Sequence, residues 1–178
     1  MATEVVRRPT VTVNVGSVSS MTMEAIEGGA AKLGMGGADT RAAVGRGDCS
    51  ACETVRHELA KRLSEYLGAV DSTVKAVYVY QPEYGLAGDE PVYDRPNLSP
   101  GISLIVWTSR KSAALSSLIA SLKLAVAEEG EKLGCRKANA LCWTVDVQLV
   151  DDEEVRARTG YGALIESIYV RPVEIWHR

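Results

Sequence analysis

The sequence contains no phenylalanine at all. Its aromatic residues are three tryptophans and seven tyrosines, so aromatic packing depends on side chains that carry a polar atom. A buried indole N–H or phenol O–H needs a hydrogen-bond partner, and such residues are therefore favoured where one end of the ring stays near water. The composition indicates that tyrosines lie at interfaces.

Long apolar runs and an excess of one charge are also lacking. No segment approaches the roughly 20 uninterrupted apolar residues that a membrane span requires. The 23 acidic and 20 basic residues are interspersed and give a net charge of −3, so we expect no basic surface that neutralises several phosphates. These features predict a soluble protein that has no membrane contact, and they disfavour nucleic acid as a partner.

Cysteine is scarce as well. Four cysteines in 178 residues are too few to define a secreted disulfide scaffold. The first ten residues include Arg7, Arg8 and Pro9 but lack the apolar segment of an export signal. We therefore expect a cytoplasmic protein whose thiols are free, and a chain of this length can bury a core without disulfides or metals.

The first 47 residues are weakly patterned. Residues Thr10 to Val15 alternate polar and apolar side chains, which predicts a strand. Residues Met23 to Leu33 have helical spacing that two glycines interrupt, and residues 34–47 contain five glycines, which is typical of a mobile loop or linker. We predict one domain overall, in which residues 1–47 form an N-terminal strand, a weak helix and a Gly-rich arm before an α+β core at residues 48–178.

The remaining chain predicts helices and strands in the order helix, strand, strand, twice over. This order predicts an α+β fold, with two principal helices packed on one face of a mainly antiparallel sheet. Gly68 is expected to end the first helix, and the tail after Pro172 is expected at a sheet edge. The predicted elements are helices Ser50–Leu67 and Lys111–Leu133 and strands Val74–Tyr80, Ile102–Thr108, Leu141–Leu149 and Leu164–Val170.

The sharpest chemical motif is a pair of cysteines, Cys49 and Cys52, at the start of the first of these helices. The positive end of a helix stabilises a thiolate, so the pair could act as a redox dithiol. Ser50 and Glu53 also fit the capping box of a helix N-terminus, which explains the same residues by structure alone. The sequence leaves both interpretations open.

A zinc site would draw on the four cysteines and His57. Cys52 and His57 are five residues apart, so their side chains point about 140° apart around a helix and cannot readily share one ion. Cys135 and Cys142 are separated by more residues than the two to four of ordinary zinc knuckles. We therefore predict no metal and no other cofactor.

The segment Gln81 to Gly101 joins two predicted neighbouring strands, and its length of about twenty residues far exceeds that of a plain hairpin loop. Its prolines stiffen it, and a lid, a ligand clamp or an arm that embraces a second subunit would each fit this composition. A solvated insertion is the structural alternative. The candidate ligand or interface residues of this segment are Tyr84, Asp89, Tyr93, Asp94 and Arg95.

A second candidate surface is the sheet face opposite the predicted helices. The alternation of the later strand places Thr144 and Asp146 on its polar side, and Tyr78 and Tyr80 complete a mixed surface if they share that face. The sequence thus predicts a homo-oligomeric module that binds a small molecule or a partner through this open face and residues 81–101. The alternative is a thiol-dependent redox or metal-binding enzyme that uses Cys49 and Cys52, so enzymatic activity stays undecided.

Overall fold

The computed structural model describes residues 15–80, 101–134, 143–167 and 172–178, with the side chains of Val15 and Cys49 excepted. The helices are α1 (Val15–Leu33), α2 (Gly37–Arg46), α3 (Cys49–Val70), α4 (Ala113–Lys132), α5 (Asp152–Ala157) and α6 (Gly162–Ile165), and the strands are β1 (Val74–Val79), β2 (Ile102–Thr108), β3 (Val145–Asp151) and β4 (Val173–His177). The α+β class predicted from the sequence is confirmed.

The four strands form one mixed sheet in the order β3-β2-β1-β4. β1 is antiparallel to both β2 and β4, whereas β2 and β3 are parallel. The sequence predicts an antiparallel pairing here, and that prediction is wrong because α4 carries the chain back along the sheet before β3 begins, as a parallel connection requires. β4 lies at an edge of this sheet, as predicted for the tail after Pro172.

Four helices, rather than the predicted two, contribute to the core on one face of the sheet. α1 lies along α3, and a Cβ at Gly29 would meet the Val55 side chain at 2.7 Å. The glycines that lower the helix propensity of this segment therefore allow two helices to approach closely. The apolar core between helices and sheet includes Val18, Ile26, Val44, Val55, Leu59, Leu63, Val77, Leu104, Val106, Leu118, Leu122 and Val145.

The Gly-rich segment 34–47 is mostly a helix, so the prediction of a mobile arm is wrong for residues Gly37–Arg46. Gly47 ends α2 in the left-handed conformation with φ 80°. Gly45 allows α2 to lie close to the end of α4, because a Cβ there would come within 2.6 Å of the Leu133 carbonyl oxygen. These glycines serve helix capping and close packing.

The predicted N-terminal strand falls on residues 10–14, outside the described residues, and Val15 already belongs to α1. Residues on both sides of the predicted boundary after residue 47 share the core. The Cys52 thiol, for instance, donates a hydrogen bond to the Val44 carbonyl at 3.7 Å. The division of the chain into an arm and a core domain stays a prediction.

The ends of α3 differ from those predicted. Asp48 is the N-cap, and its carboxylate accepts a hydrogen bond from the Ala51 N–H at 3.0 Å, so the predicted capping box of Ser50 and Glu53 is wrong. The helix continues through Gly68 to Val70. Gly68 therefore lies within the helix and does not cap it. Its lack of a side chain leaves room for the indole ring of Trp176 on β4.

A second layer covers part of the opposite sheet face. The acidic residues after Asp151 begin α5, with a capping box between Asp151 and Glu154. The predicted strand Leu164–Val170 is wrong for its first residues, which belong to α6. Val155 and Ile165 of this layer join a second apolar cluster with sheet residues Ala76, Tyr78, Ile105 and Val150. The face predicted to be open is therefore half covered.

Candidate functional site

The strand register brings Tyr78 and Asp146 to one sheet face. Tyr78 is opposite Ile105 and Ile105 is opposite Gln148, while Ser103 is opposite Asp146. Side chains alternate between the faces of a strand, so these residues lie on the face away from α1 to α4. The condition under which the sequence placed Tyr78 beside Asp146 is thus met by the register, whereas Thr144 precedes β3.

The α5–α6 layer covers one half of this face, and we call the half that the described residues leave open the uncovered half. Tyr78 is only 7% exposed and belongs to the covered half. Tyr80 is half-buried and packs against the same cluster, where its ring meets the Tyr161 ring edge-on, with centroids 6.2 Å apart. Both predicted tyrosines therefore contact the covered half.

The uncovered half carries a row of polar side chains, Ser103, Asp146 and Gln148, which we call the polar row. The Gln148 amide donates a hydrogen bond to Asp146 Oδ2 at 2.9 Å, and the Asp146 side chain is 58% exposed. Lys123 approaches Asp146 Oδ1 at 3.4 Å from α4, which packs on the other face. This ion pair therefore spans the edge of the sheet formed by β3.

An apolar groove lies on the helix side of the same edge. It separates α4 from β3, has a volume of about 250 Å³ and is lined by Ser116, Ile119, Ala120, Lys123, Val147 and Leu149. Its floor is aliphatic, because Ile119 is buried while Val147 and Leu149 are half-buried. Ser116 and Ala120 at its rim are exposed. Val147 and Leu149 thus have one side that the described helices leave uncovered.

β3 itself is an edge strand. All seven of its residues pair with β2, and within the described part of the chain no strand pairs with its outer edge. Edge strands are commonly protected by charged side chains, above all lysine, or by proline. The Lys123–Asp146 ion pair crosses the start of β3, which itself contains neither lysine nor proline. Its outer backbone N–H and C=O groups therefore lie between the apolar groove on one side and the polar row on the other.

The segment predicted to be functional leads into β2 beside the start of β3. Ile102 N–H donates to the Thr144 carbonyl at 2.8 Å, whereas Tyr80 N–H donates to the Ser103 carbonyl at 3.0 Å. The chain thus leaves β1 on the side of β2 opposite β3 and enters β2 next to the start of β3. The predicted residues Tyr84, Asp89, Tyr93, Asp94 and Arg95 lie outside the described residues.

One member of the predicted cysteine pair, Cys52, is buried. It is 2% exposed within the apolar core, and its thiol donates to the Val44 carbonyl. Reactive cysteines are partly exposed, and Cys52 is not. The side chain of Cys49 is outside the described set, as are Cys135 and Cys142. No group of three histidine, cysteine or acidic side chains that could hold a metal occurs among the described residues.

A charged cluster that the sequence pattern did not reveal lies where β1 begins and β2 ends. Lys75 Nζ donates to both Asp152 carboxylate oxygens at 2.7 Å, and Trp107 Nε1 donates to Oδ1 at 2.8 Å. Lys75 also lies 5.3 Å from the centre of the Trp107 ring. The three residues are far apart in sequence, so only the strand register brings them together.

This cluster predicts a pH effect. The hydrogen bond from Lys75, and after it that from Trp107, lowers the pKa of Asp152 below its usual value of 3.8. A carboxyl whose folded-state pKa is lowered stabilises the fold above its unfolded pKa, and this contribution is lost as the pH falls through the folded value. We expect the Trp107 indole N–H resonance to shift with a midpoint below 3.8, and to lose that shift in Asp152→Asn. A midpoint at or above 3.8, measured by NMR, would contradict this assignment.

Comparisons with known proteins identify no family for this chain. The chain matches no protein-family model, no curated protein and no solved structure. Within the described residues, no helix is long and apolar enough to cross a membrane.

Proposed function

We propose that this chain is a self-associating module whose partner surface is the outer edge of β3, together with the groove and the polar row. We call these three features the β3 edge surface. One observation carries the proposal: β3 offers an unpaired edge among the described strands, with an apolar groove on one side and hydrogen-bonding side chains on the other.

The shape of the groove favours a strand as its occupant over a small molecule. Small-molecule sites are concave pockets of about 300–1,000 Å³ that enclose most of the ligand. The groove is smaller, at about 250 Å³, and its exposed rim residues Ser116 and Ala120 leave it open to solvent. A strand that pairs with β3 would place alternate side chains in the groove, while its backbone completes the sheet ladder.

The area that a stable interface requires indicates that surfaces next to the β3 edge and groove also contact the partner. Specific interfaces bury about 1,600 Å² in total, which is more than one short strand and one groove provide. Leu124, on the next turn of α4, is 68% exposed and extends the apolar rim. Residues 81–101, which lead into β2 beside the start of β3, belong to the proposed contact surface on the same grounds.

A charge placed on the groove rim tests the proposal. Ala120 is exposed, so Ala120→Asp leaves the core intact but puts a carboxylate where an apolar partner side chain would lie. We expect this variant to sediment as a monomer under conditions in which the unaltered chain is a dimer or larger.

Ser117→Asp is the matched control, because Ser117 is exposed on the same helix and lies outside the groove. It should retain the oligomer. Equal masses for Ala120→Asp and the unaltered chain, with circular dichroism showing both folded, would refute the assignment of this surface.

A further inference from the structure

We infer that the strand which pairs with β3 is the segment Thr10–Asn14 of a second copy of the chain. This inference rests on the proposed function and names the partner of the β3 edge surface. It joins two independent observations, which are the unpaired edge with its groove and the alternating sequence Thr-Val-Thr-Val-Asn directly before α1.

The alternation of the segment matches the two sides of the β3 edge. In an extended strand, Val11 and Val13 point to one side, while Thr10, Thr12 and Asn14 point to the other. The valines suit the groove floored by aliphatic side chains. The threonine and asparagine side chains then lie toward the polar row, where they can exchange hydrogen bonds with carboxylate and amide groups.

The charge of the segment also complements the β3 edge. Arg7 and Arg8 lie just before the strand sequence. Asp146 near the beginning of β3 is 58% exposed, with Lys123 on one of its oxygens, and Glu153 is exposed just after the strand ends. Asp152 and Glu154 are already paired with Lys75 and Lys111. A segment bound in either direction therefore places its arginines near carboxylates, which favours both encounter and alignment.

The packing of α1 indicates that the segment comes from another copy. Ser19, in the second turn of α1, donates a hydrogen bond to Glu129 of α4 at 2.6 Å. Glu129 is nine residues after Ala120 in the sequence. The two side chains therefore point to opposite sides of α4, about 180° apart at 100° per residue.

The segment has no linker with which to cross that helix. Thr10–Asn14 ends where α1 begins at Val15, so within one chain it starts on the Glu129 side of α4. At Ala120 the groove rim lies across a helix of about 10 Å diameter, and about 13 Å along its axis from Glu129. The segment can reach the groove of a second copy without crossing α4 of its own chain. Exchange of the segment between copies would therefore explain self-association through β3.

The first test replaces a groove-facing valine in the full chain. We expect Val13→Asp to weaken self-association at least tenfold in sedimentation equilibrium, because a carboxylate would enter the aliphatic groove. Thr12→Asn, which keeps a polar group on the opposite side of the same strand, should leave the association constant unchanged.

The second test mixes two full-length variants that fail to associate alone. Val13→Asp keeps an intact β3 edge, whereas Ala120→Asp keeps an intact N-terminal segment. If the segment is exchanged between copies, an equimolar mixture should form a one-to-one heterodimer, detectable by native mass spectrometry with isotope labelling of one chain.

The outcomes separate the two proposals. If Val13→Asp retains the oligomer that Ala120→Asp loses, the β3 edge surface stands and the N-terminal segment is not its partner. If both variants are monomeric but no heterodimer forms on mixing, exchange of the segment between copies is refuted. If the unaltered chain is monomeric, both proposals fail.

Discussion

Replacing Trp143 with alanine is expected to lower the free energy of unfolding by about 3–5 kcal/mol, the range for removing a large buried aromatic side chain. Trp143 is 1% exposed and belongs to the core between helices and sheet. It packs against α4 at Gly130, where a Cβ would come within 2.5 Å of the Trp143 Cβ. The contact fixes the chain two residues before β3, so the cavity would also loosen the start of that strand.

Phenylalanine at position 143 separates the roles of ring volume and indole N–H. Trp143 Nε1 is buried and has no hydrogen-bond partner among the described residues, so losing it costs no hydrogen bond that the structure shows. We expect Trp143→Phe to cost less than Trp143→Ala, because the phenyl ring leaves a smaller cavity than a methyl group does. Urea unfolding measures both variants, and equal losses for alanine and phenylalanine would contradict the packing role.

Replacing Gly68 with alanine is expected to destabilise the protein by about 1–3 kcal/mol through overpacking, although alanine normally stabilises a helix interior. A Cβ at Gly68 would collide with three atoms of the Trp176 indole. That ring cannot move freely, because it packs against the core and lies beneath the Arg178 guanidinium, 5.6 Å from the ring centre. Arg178 is itself anchored to the carbonyls of Gly68, Asp71 and Val74.

Gly37→Ala is the matched control for Gly68→Ala. Gly37 begins α2, and a Cβ there would meet no atom within 4 Å. We therefore expect this control to be neutral or to stabilise by up to about 1 kcal/mol, as a permitted glycine-to-alanine change does. A stabilised Gly68→Ala variant in the same urea experiment would show that α3 and β4 are not packed as described.

The elements that the sequence predicts well are those whose pattern is set by one buried face or one buried run. α4 and β2 lie within two residues of their predicted bounds, because the apolar stripe from Leu115 to Val126 and the run at Ile102–Thr108 reflect burial directly. α1 was predicted only as a weak helix from Met23, and α2 as a mobile arm. The sequence does not distinguish a glycine that permits close approach, such as Gly29 or Gly45, from one that confers flexibility.

The direction of β3 could not be predicted for a related reason. Alternation of polar and apolar residues reports that one face is less covered, which is true of an antiparallel strand and equally of a parallel strand at a sheet edge. Period two relates residues within one strand, so the shared face of Tyr78 and Asp146 also required the register through β2. The groove does not, because it depends on how α4 lies beside Val147 and Leu149.

The mass of the unaltered full chain, measured by sedimentation equilibrium over a dilution series, tests whether the β3 edge is an interface. The chain has a mass of 19.1 kDa, and we expect a species of at least twice this mass that dissociates on dilution. A single 19.1 kDa species at every concentration of the series would contradict self-association.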